Sequence, residues 1–479
     1  MKYVLYILLG AVAVCLLLVL IALLKTLLSP QKKSEWKPAR DEAREAEYAK
    51  KLSRMVQCET VSYKGPQDRE KFLEFHKVLE ELFPKLHAAL EKTEIDGNLL
   101  YYWKGRSSEK PIVLMAHQDV VPAEGEWEHA PFSGDIADGK IWGRGSADDK
   151  SALIAEMQAV EELVSEGFVP DQDVYISSSC TEENSGGGCP KLVDELKRRG
   201  VRPWLVCDEG GAIVEAPIGG MSGHFAMMGV LEKGHGNLLI KAKSNGGHSS
   251  YPPLNSPIAR LAKFETEIEK HNPMKKEFGP EVKAMFGTLA PYAPFAYRLL
   301  LGNLWLFSPL LKAVLPSMSP QVAALMRTTT AFTMQSGSQA ENALPQEATL
   351  NINLRYIPHQ GRDASNDAIR KVAAKYGLEV EEKPCEEYCE PVDFNGEAYK
   401  LVESVAHEVF PGLPTVPYVM TGGTDARYYQ EICDACVRFA PIVYGPAQMK
   451  GMHGLNENLD CFSLPGGVDF YKTVIRRNK

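Results

Sequence analysis

The stretch PIVLMAHQDVVP, from Pro111 to Pro122, decides how the rest of the chain is read. An apolar run of strand length ends in a histidine and an aspartate two residues apart. Successive side chains of an extended segment point to opposite faces, so His117 and Asp119 lie on one side and Gln118 on the other. The run itself does not alternate, as expected of a strand covered on both faces in a parallel sheet.

Working outward, apolar strand-like runs alternate with amphipathic helical segments from about residue 56 to about 228. IVLMA, DVYISSS and WLVCDE read as strands, and SALIAEMQAVEELVSEG and CPKLVDELKRRG as helices. That alternation predicts an α/β domain with a mostly parallel sheet. Near residue 230 the texture changes, and NLLIKAK and TLNINLRYI predict the strands of a smaller α+β domain over 229–358. The first pattern resumes with EAYKLVESVAHEVF, so the smaller domain is inserted into the larger one. The expected division is an N-terminal anchor (1–30), a linker (31–45), the first part of the main domain (46–228), the insertion (229–358) and the second part (359–479).

In open α/β sheets ligands bind beyond the carboxyl ends of the strands. IVLMA leads to His117 and Asp119, DVYISSSC to Glu182 and Glu183, and WLVC to Asp208. Between the first two, IWGRGSADDK delivers Asp148 and Asp149 to the start of a helix. Singly, each has a plain structural reading as a helix cap, a solvated pair or a turn residue. Together they converge like charges on one sheet edge. Two such charges about 4 Å apart repel by roughly 4 kcal/mol at an effective dielectric of 20. One or two divalent cations remove the conflict. Histidine with carboxylates suits zinc, with cobalt or manganese as substitutes. The pair in the opening stretch then reads as a ligand, His117, whose other ring nitrogen donates to Asp119, fixing the tautomer.

HQDVVP, GRGSADDK, TEEN after a strand, and CDEGG, in this order and spacing, resemble the metallopeptidase family of aminoacylase, carboxypeptidase S and bacterial glutamate carboxypeptidase. The resemblance covers nearly all of the chain after about residue 45. It is strongest to carboxypeptidase S and the N-fatty-acyl-amino-acid hydrolase/synthase, through VVP, NLWLFSPLL and RTTTAFT. It implies a phosphorylase/hydrolase-like catalytic domain with an inserted lid that often dimerises. It implies two zinc ions, one on His117 and Asp208, the other on Glu183 and His453, bridged by Asp148, with a cis peptide after that residue. It implies Glu182 as general base and a peptide or N-acyl amino acid with a free carboxylate as substrate. His248 in SNGGHSS would reach the substrate carbonyl, often across a dimer interface. Asn342 and Arg355 match the substrate-binding Asn and Arg, and TGGTDAR, with Gly423 and Thr424, would offer backbone N–H groups to the same end.

The insertion carries a greasy stretch, MFGTLAPYAPFAYRLLLGNLWLFSPLLKAVLP. It has three readings: packing of the lid or a dimer seam, a wall for an acyl chain, or contact with a membrane. The last gains from the N-terminus, where Tyr3 to Leu24 carries no charge. About 20 apolar residues cross a bilayer as a helix, and the run ends in ALLKTLLSP without a small-residue cleavage pattern, which predicts a retained anchor rather than a signal peptide. Lys25, Lys32, Lys33, Lys37 and Arg40 follow it. The positive-inside count puts the enzyme in the cytoplasm, but long domains cross regardless of such charges, so the side stays open.

A net charge of −9 argues against a nucleic-acid partner. Ten cysteines include CDAC and CEEYC but lack the paired knuckles of a zinc ribbon. A serine hydrolase using His117 and Asp119 would need a G-x-S-x-G elbow, which GMSGH and SGSQ do not supply. A non-enzymatic binding protein on this scaffold would lack part of the ligand set, and every position is filled.

Overall fold

The computed structural model describes residues 2–65, 68–385 and 389–479. The residues between Cys385 and Cys389 in CEEYC lie outside that set, and all ten cysteines are free thiols.

A ten-stranded sheet forms the middle of the larger domain. At its centre Gln172–Ser178, Ser107–Met115, Leu205–Asp208 and Cys436–Arg438 lie side by side and parallel. Met115 pairs with Ser177 and Leu114 with Cys207, so three strands finish at nearly one height. That register brings the three acidic strand ends to one edge. Antiparallel strands extend the sheet on both sides: Asn98–Trp103 and Glu91–Ile95 on one, His224–Glu232 and Ala212–Glu215 on the other. Ile112, Val113 and Leu114 are fully buried because helices cover both faces. The helix Lys150–Ser165 is buried along almost all of its length and packs against Ser463–Arg477.

The lid is a four-stranded antiparallel sheet in the order Thr329–Ser336, Glu347–Tyr356, Gly234–Lys243, Glu379–Glu382. Burial alternates along Gly234–Lys243 and Glu347–Tyr356, as it must in a sheet with one covered face. Leu238, Ile240 and Ile352 meet Leu261, Phe264 and Ile369 from the helices Pro257–Lys270 and Gly361–Ala374. The lid therefore continues past the expected boundary at 358. Its last strand is EVEE, an edge strand with no apolar run to announce it.

Two further departures concern the middle of the insertion and the linker. The helix Pro280–Leu289 packs onto the main-sheet strand Thr415–Met420, and Phe295–Leu301, Leu304–Met318 and Pro320–Met326 join it in one apolar cluster. Phe286, Leu289 and Met326 share a cluster with Phe225, Met227, Val416 and Val419. The segment expected as a linker is ordered against the body. Ser34 Oγ donates to the His224 carbonyl at 2.6 Å, the Trp36 ring meets His224 and Phe410 edge-on, and Glu42–Val56 is already helix, capped by Asp41.

Ahead of it stands the helix Lys2–Leu28. Its span Tyr3–Leu28 is long and apolar enough to cross a membrane, with mean hydropathy 3.3, and is almost wholly exposed. A signal sequence has the same character.

Candidate metal centre

His117 follows the end of Ser107–Met115 and is buried. Its Nδ1 donates to the main-chain carbonyl of Asp119 at 2.9 Å, while the Asp119 carboxylate stands off at 3.5 Å. The expected imidazole–carboxylate bond is thus replaced by one to the carbonyl of the same residue. The Asp119 carboxylate is engaged elsewhere: it accepts the N–H of Glu182 at 3.1 Å and of Glu183 at 3.2 Å, and the Ser62 hydroxyl at 2.6 Å. It locks the neighbouring strand end in place. Nδ1 therefore carries a proton and Nε2 faces inward, toward Asp148.

Asp148 comes from the Gly-rich turn before Lys150–Ser165. Glu457 shapes that turn: one of its oxygens accepts the N–H groups of Gly145, Ala147 and Asp148, and the other pairs with Arg144. The Asp148–Asp149 peptide is cis, as the resemblance implies. Asp148 Oδ1 lies 3.0 Å from His117 Nε2, and Oδ2 lies 3.1 Å from His453 Nε2. Asp149 is buried and makes no capping bond to its helix.

Glu209, given no role by the resemblance, stands where Asp208 was expected. Asp208 accepts the N–H of Ala426 at 2.7 Å and that of Glu209 at 2.9 Å, which turns it away from His117. Glu209 Oε1 stands 3.6 Å from His117 Nε2. Two groups of donor atoms result, His117–Asp148–Glu209 and Asp148–Glu183–His453, sharing Asp148. Glu183 Oε2 is 2.9 Å from His453 Nε2, and its Oε1 is buried without a hydrogen-bond partner. Adjacent acids at a strand end cannot be told apart by spacing. The one available signal was that alternation sends Asp208 and its neighbour to opposite faces.

The electrostatics of this cluster suit divalent cations. Burial and neighbouring carboxylates push Glu182 and Glu209 well above the usual carboxylate range. Burial also raises Glu183, against the pull of His453, and raises Asp208 to about 6. The carboxylates of Asp148 and Glu183, accepting from its ring, raise His453 to about 10. Burial disfavours a charged His117, yet Asp119 and Asp148 hold its proton on well above the ordinary range. Protons thus stand where divalent cations would neutralise the same carboxylates. The donors fit such ions: imidazole and carboxylate without thiolate. Their separations of 2.9 to 3.6 Å bracket the edge of about 3.3 Å expected for a tetrahedron around zinc.

Two cavities meet at the cluster. One, of about 460 Å³, is lined by Glu182, Glu183 and His453 together with Lys233, Arg355 and Arg427. The other, of about 420 Å³, runs from Asp148 and Glu209 past Val214, Met227, Tyr418 and Met449. Its apolar walls come from these strands and loops, and the 280–325 stretch only backs them through the shared cluster with Met227 and Tyr418. Of the expected substrate residues, Arg355 and Gly423 line the first cavity. Thr424 lies beneath it and donates from its N–H to Glu232 at 3.2 Å. His248 and Asn342 sit together on the exposed lid tip, where the Ser249 N–H donates to the Asn342 carbonyl at 3.1 Å. Neither is among the residues that line these two cavities.

The family model for peptidase family M20/M25/M40 matches residues 113–477. The probable carboxypeptidase S-like 2 of Dictyostelium discoideum is 33% identical over 449 residues, 90% of this chain and 85% of that protein. The N-fatty-acyl-amino acid synthase/hydrolase of Xenopus tropicalis is 33% identical over 480 residues, 96% of this chain and 93% of that protein. Among solved structures, an M20-family metallo-carboxypeptidase from Sulfolobus solfataricus shares the fold with a TM-score of 0.66 at 18% identity, covering 92% of this chain and 99% of its own.

Proposed function

The chain belongs to peptidase family M20/M25/M40, and from that premise we propose a membrane-anchored, two-zinc amidohydrolase that cleaves N-acyl amino acids with a free carboxylate. The observation that carries the substrate class is the pair of cavities. A cationic one holds Arg355, Lys233 and Arg427, an apolar one holds Val214, Met227 and Tyr418, and the donor cluster lies between them. A molecule with a carboxylate at one end, an amide in the middle and an acyl chain at the other fits that order.

His117, Asp148 and Glu209 would hold one ion, and Asp148, Glu183 and His453 the other. Bound divalent ions supply a water of lowered pKa and polarise the scissile carbonyl. Glu182 takes a proton from the attacking water and gives it to the leaving nitrogen, a role suited by its place next to Glu183 on the same strand end and on the wall of the cavity. Asp119 keeps Glu182 and Glu183 at their posts through their N–H groups. Arg355 grips the substrate carboxylate by two parallel hydrogen bonds, while the buried Lys233 donates to the carbonyls of Ala324 and Arg327 behind it. His248 and Asn342 act in a second copy of the chain, since the lid tip that carries them, with Tyr251 and Leu254, is exposed. A homodimer in sedimentation velocity supports that last point, and a monomer active at nanomolar concentration overturns it.

The test is product release, read by mass spectrometry, from zinc-loaded protein given dipeptides, N-acetyl and N-long-chain-acyl amino acids, with Glu182→Gln as control. Each buried methylene contributes about 0.8 kcal/mol, so kcat/KM is expected to rise about fourfold per methylene until the apolar cavity is full. Equal kcat/KM for acetyl and long-chain substrates refutes the acyl assignment, and preference for dipeptides makes the enzyme a carboxypeptidase.

A further inference from the structure

The foot of the N-terminal helix is built into the lid. Ala22 and Thr26 are its buried positions, and Thr26 Oγ1 accepts from Asn303 Nδ2 at 3.2 Å. Just beyond it, Gln31 Nε2 donates to the Tyr292 carbonyl at 3.0 Å, and the Lys32 N–H to the Pro291 carbonyl at 2.9 Å. Asn303 is the break between Phe295–Leu301 and Leu304–Ser317, which meet at 103° and are together apolar enough to count as a broken membrane span. At 1.5 Å per residue, the two limbs are roughly 10 and 21 Å long. Neither reaches the 30 Å of a bilayer core, so the pair suits one leaflet's interface. Its outer surface is apolar: Phe295, Tyr297, Trp305, Leu310 and Val314 are exposed beside the exposed face of Tyr3–Leu28.

Where helix and pair meet there is a cavity of about 530 Å³. Lys25, Lys32 and Arg298 line it, with Thr26 and Asn303 between them. None of the three cations is ion-paired with a carboxylate among the described residues. The Arg298 Nε is buried without a hydrogen-bond partner. Three cations converge on one hollow at the depth where an apolar helix would emerge from its bilayer.

We propose that the bent pair 295–317 lies in the interfacial layer of the membrane crossed by the N-terminal helix, and that this cavity holds the phosphate of an anionic phospholipid between Lys25, Lys32 and Arg298. This rests on the anchored reading of that helix. The lid is then seated on the bilayer at two points. Substrates with long acyl chains, which partition into the bilayer, meet the enzyme at its surface.

The experiment uses the full chain in nanodiscs of phosphatidylcholine and phosphatidylglycerol at three to one. Intact mass and resistance to carbonate extraction come first: loss of the N-terminal helix or extraction sinks the anchor and the inference with it. With the anchor in place, native mass spectrometry of detergent-released protein should show retained phosphatidylglycerol in preference to phosphatidylcholine. Each lost cation near an anionic surface changes affinity on the order of fivefold. The variant Lys25→Gln/Lys32→Gln/Arg298→Gln is expected to lose at least tenfold in that preference, while Lys25→Arg/Lys32→Arg/Arg298→Lys keeps it. Equal retention of both lipids by the native chain, or an unchanged preference in the neutral variant, overturns the headgroup site while leaving the anchor standing. Displacement of the lipid by millimolar inorganic phosphate or glycerol 3-phosphate overturns it as well, in favour of a soluble anion. Brominated acyl chains should quench Trp305, and Trp305→Phe should remove that quenching. Quenching that persists unchanged in the variant places the pair outside the bilayer.

Discussion

Glu209→Gln and Asp208→Asn, made separately, test the assignment at the strand end Leu205–Asp208. Glu209 Oε1 is one of three donor atoms around the inner face of His117, at 3.6 Å from Nε2. Altering a group that merely supports a metal ligand costs 10- to 100-fold in affinity. Replacing a donor carboxylate by an amide should therefore cost more than that, and Glu209→Gln should retain one zinc per chain after dialysis where the native protein retains two. Asp208 is bonded to the N–H groups of Ala426 and Glu209, at 2.7 and 2.9 Å, and makes no approach to His117. A hydrogen bond to a charged group contributes about 1.5–3 kcal/mol. An amide keeps one acceptor oxygen of the two. Asp208→Asn should then cost about 2 kcal/mol of stability and leave both ions bound. Metal content by plasma mass spectrometry, zinc competition against a chelator and urea melts of the metal-free proteins separate the outcomes. If Asp208→Asn loses an ion and Glu209→Gln keeps both, the geometric reasoning at this site is wrong.

Glu182→Gln should lower kcat by about 10²–10⁴ with zinc content unchanged, measured on one N-acyl substrate under saturation. Glu457→Gln removes the charge facing Arg144, both of them buried. Breaking a buried pair costs about 3–5 kcal/mol, and Arg144 keeps its bond to the Gly454 carbonyl, so a urea melt should show a loss near the lower figure. Lys233 is pushed down to about 7 by burial, then by Arg355 and Arg327. Its folded pKa lies below its unfolded one, so the unfolded chain binds more protons between about pH 7 and 10.4, and stability rises with pH across that window. Lys233→Met should flatten that rise, by at most about 1.4 kcal/mol per pH unit; an unchanged slope means that the lysine is charged in the fold.

The elements that could be read from the sequence are those whose signal is local. IVLMA, DVYISSS and WLVCDE are continuous apolar runs, and parallel pairing in register turns their ends into one site. His117, Asp148, Glu183 and His453 come together where motif order placed them. What escaped depends on partners distant in sequence. EVEE becomes a lid strand only because Gly234–Lys243 offers it an open edge. Glu457 stands four residues after His453, in MKGMHGLNE, but its use, three N–H groups of a turn some 310 residues earlier, is visible only in space. Trp36 looks like a linker residue until His224 and Phe410 close on it.

The same long-range placement would orient the proposed substrate. Asp148, Glu183 and Glu209 bring three negative charges to the donor groups, and Glu182 adds a fourth when ionised. Two divalent ions would balance these four. A balanced centre exerts little pull on a substrate carboxylate, so that group is directed by what lies beyond it. On one side stand Lys233, Arg355 and Arg427; on the other, Val214, Met227, Tyr418 and Met449 line the cavity with few charges to meet it. Burying a carboxylate among the latter carries a desolvation cost of several kcal/mol with no cation to offset it. An N-acyl amino acid of the proposed kind would therefore place its carboxylate on the cationic side and its acyl group on the apolar side, which would present the amide to Glu182 in one orientation. Specificity for the free carboxylate and tolerance of a long chain then have separate structural causes, and each is removable without the other.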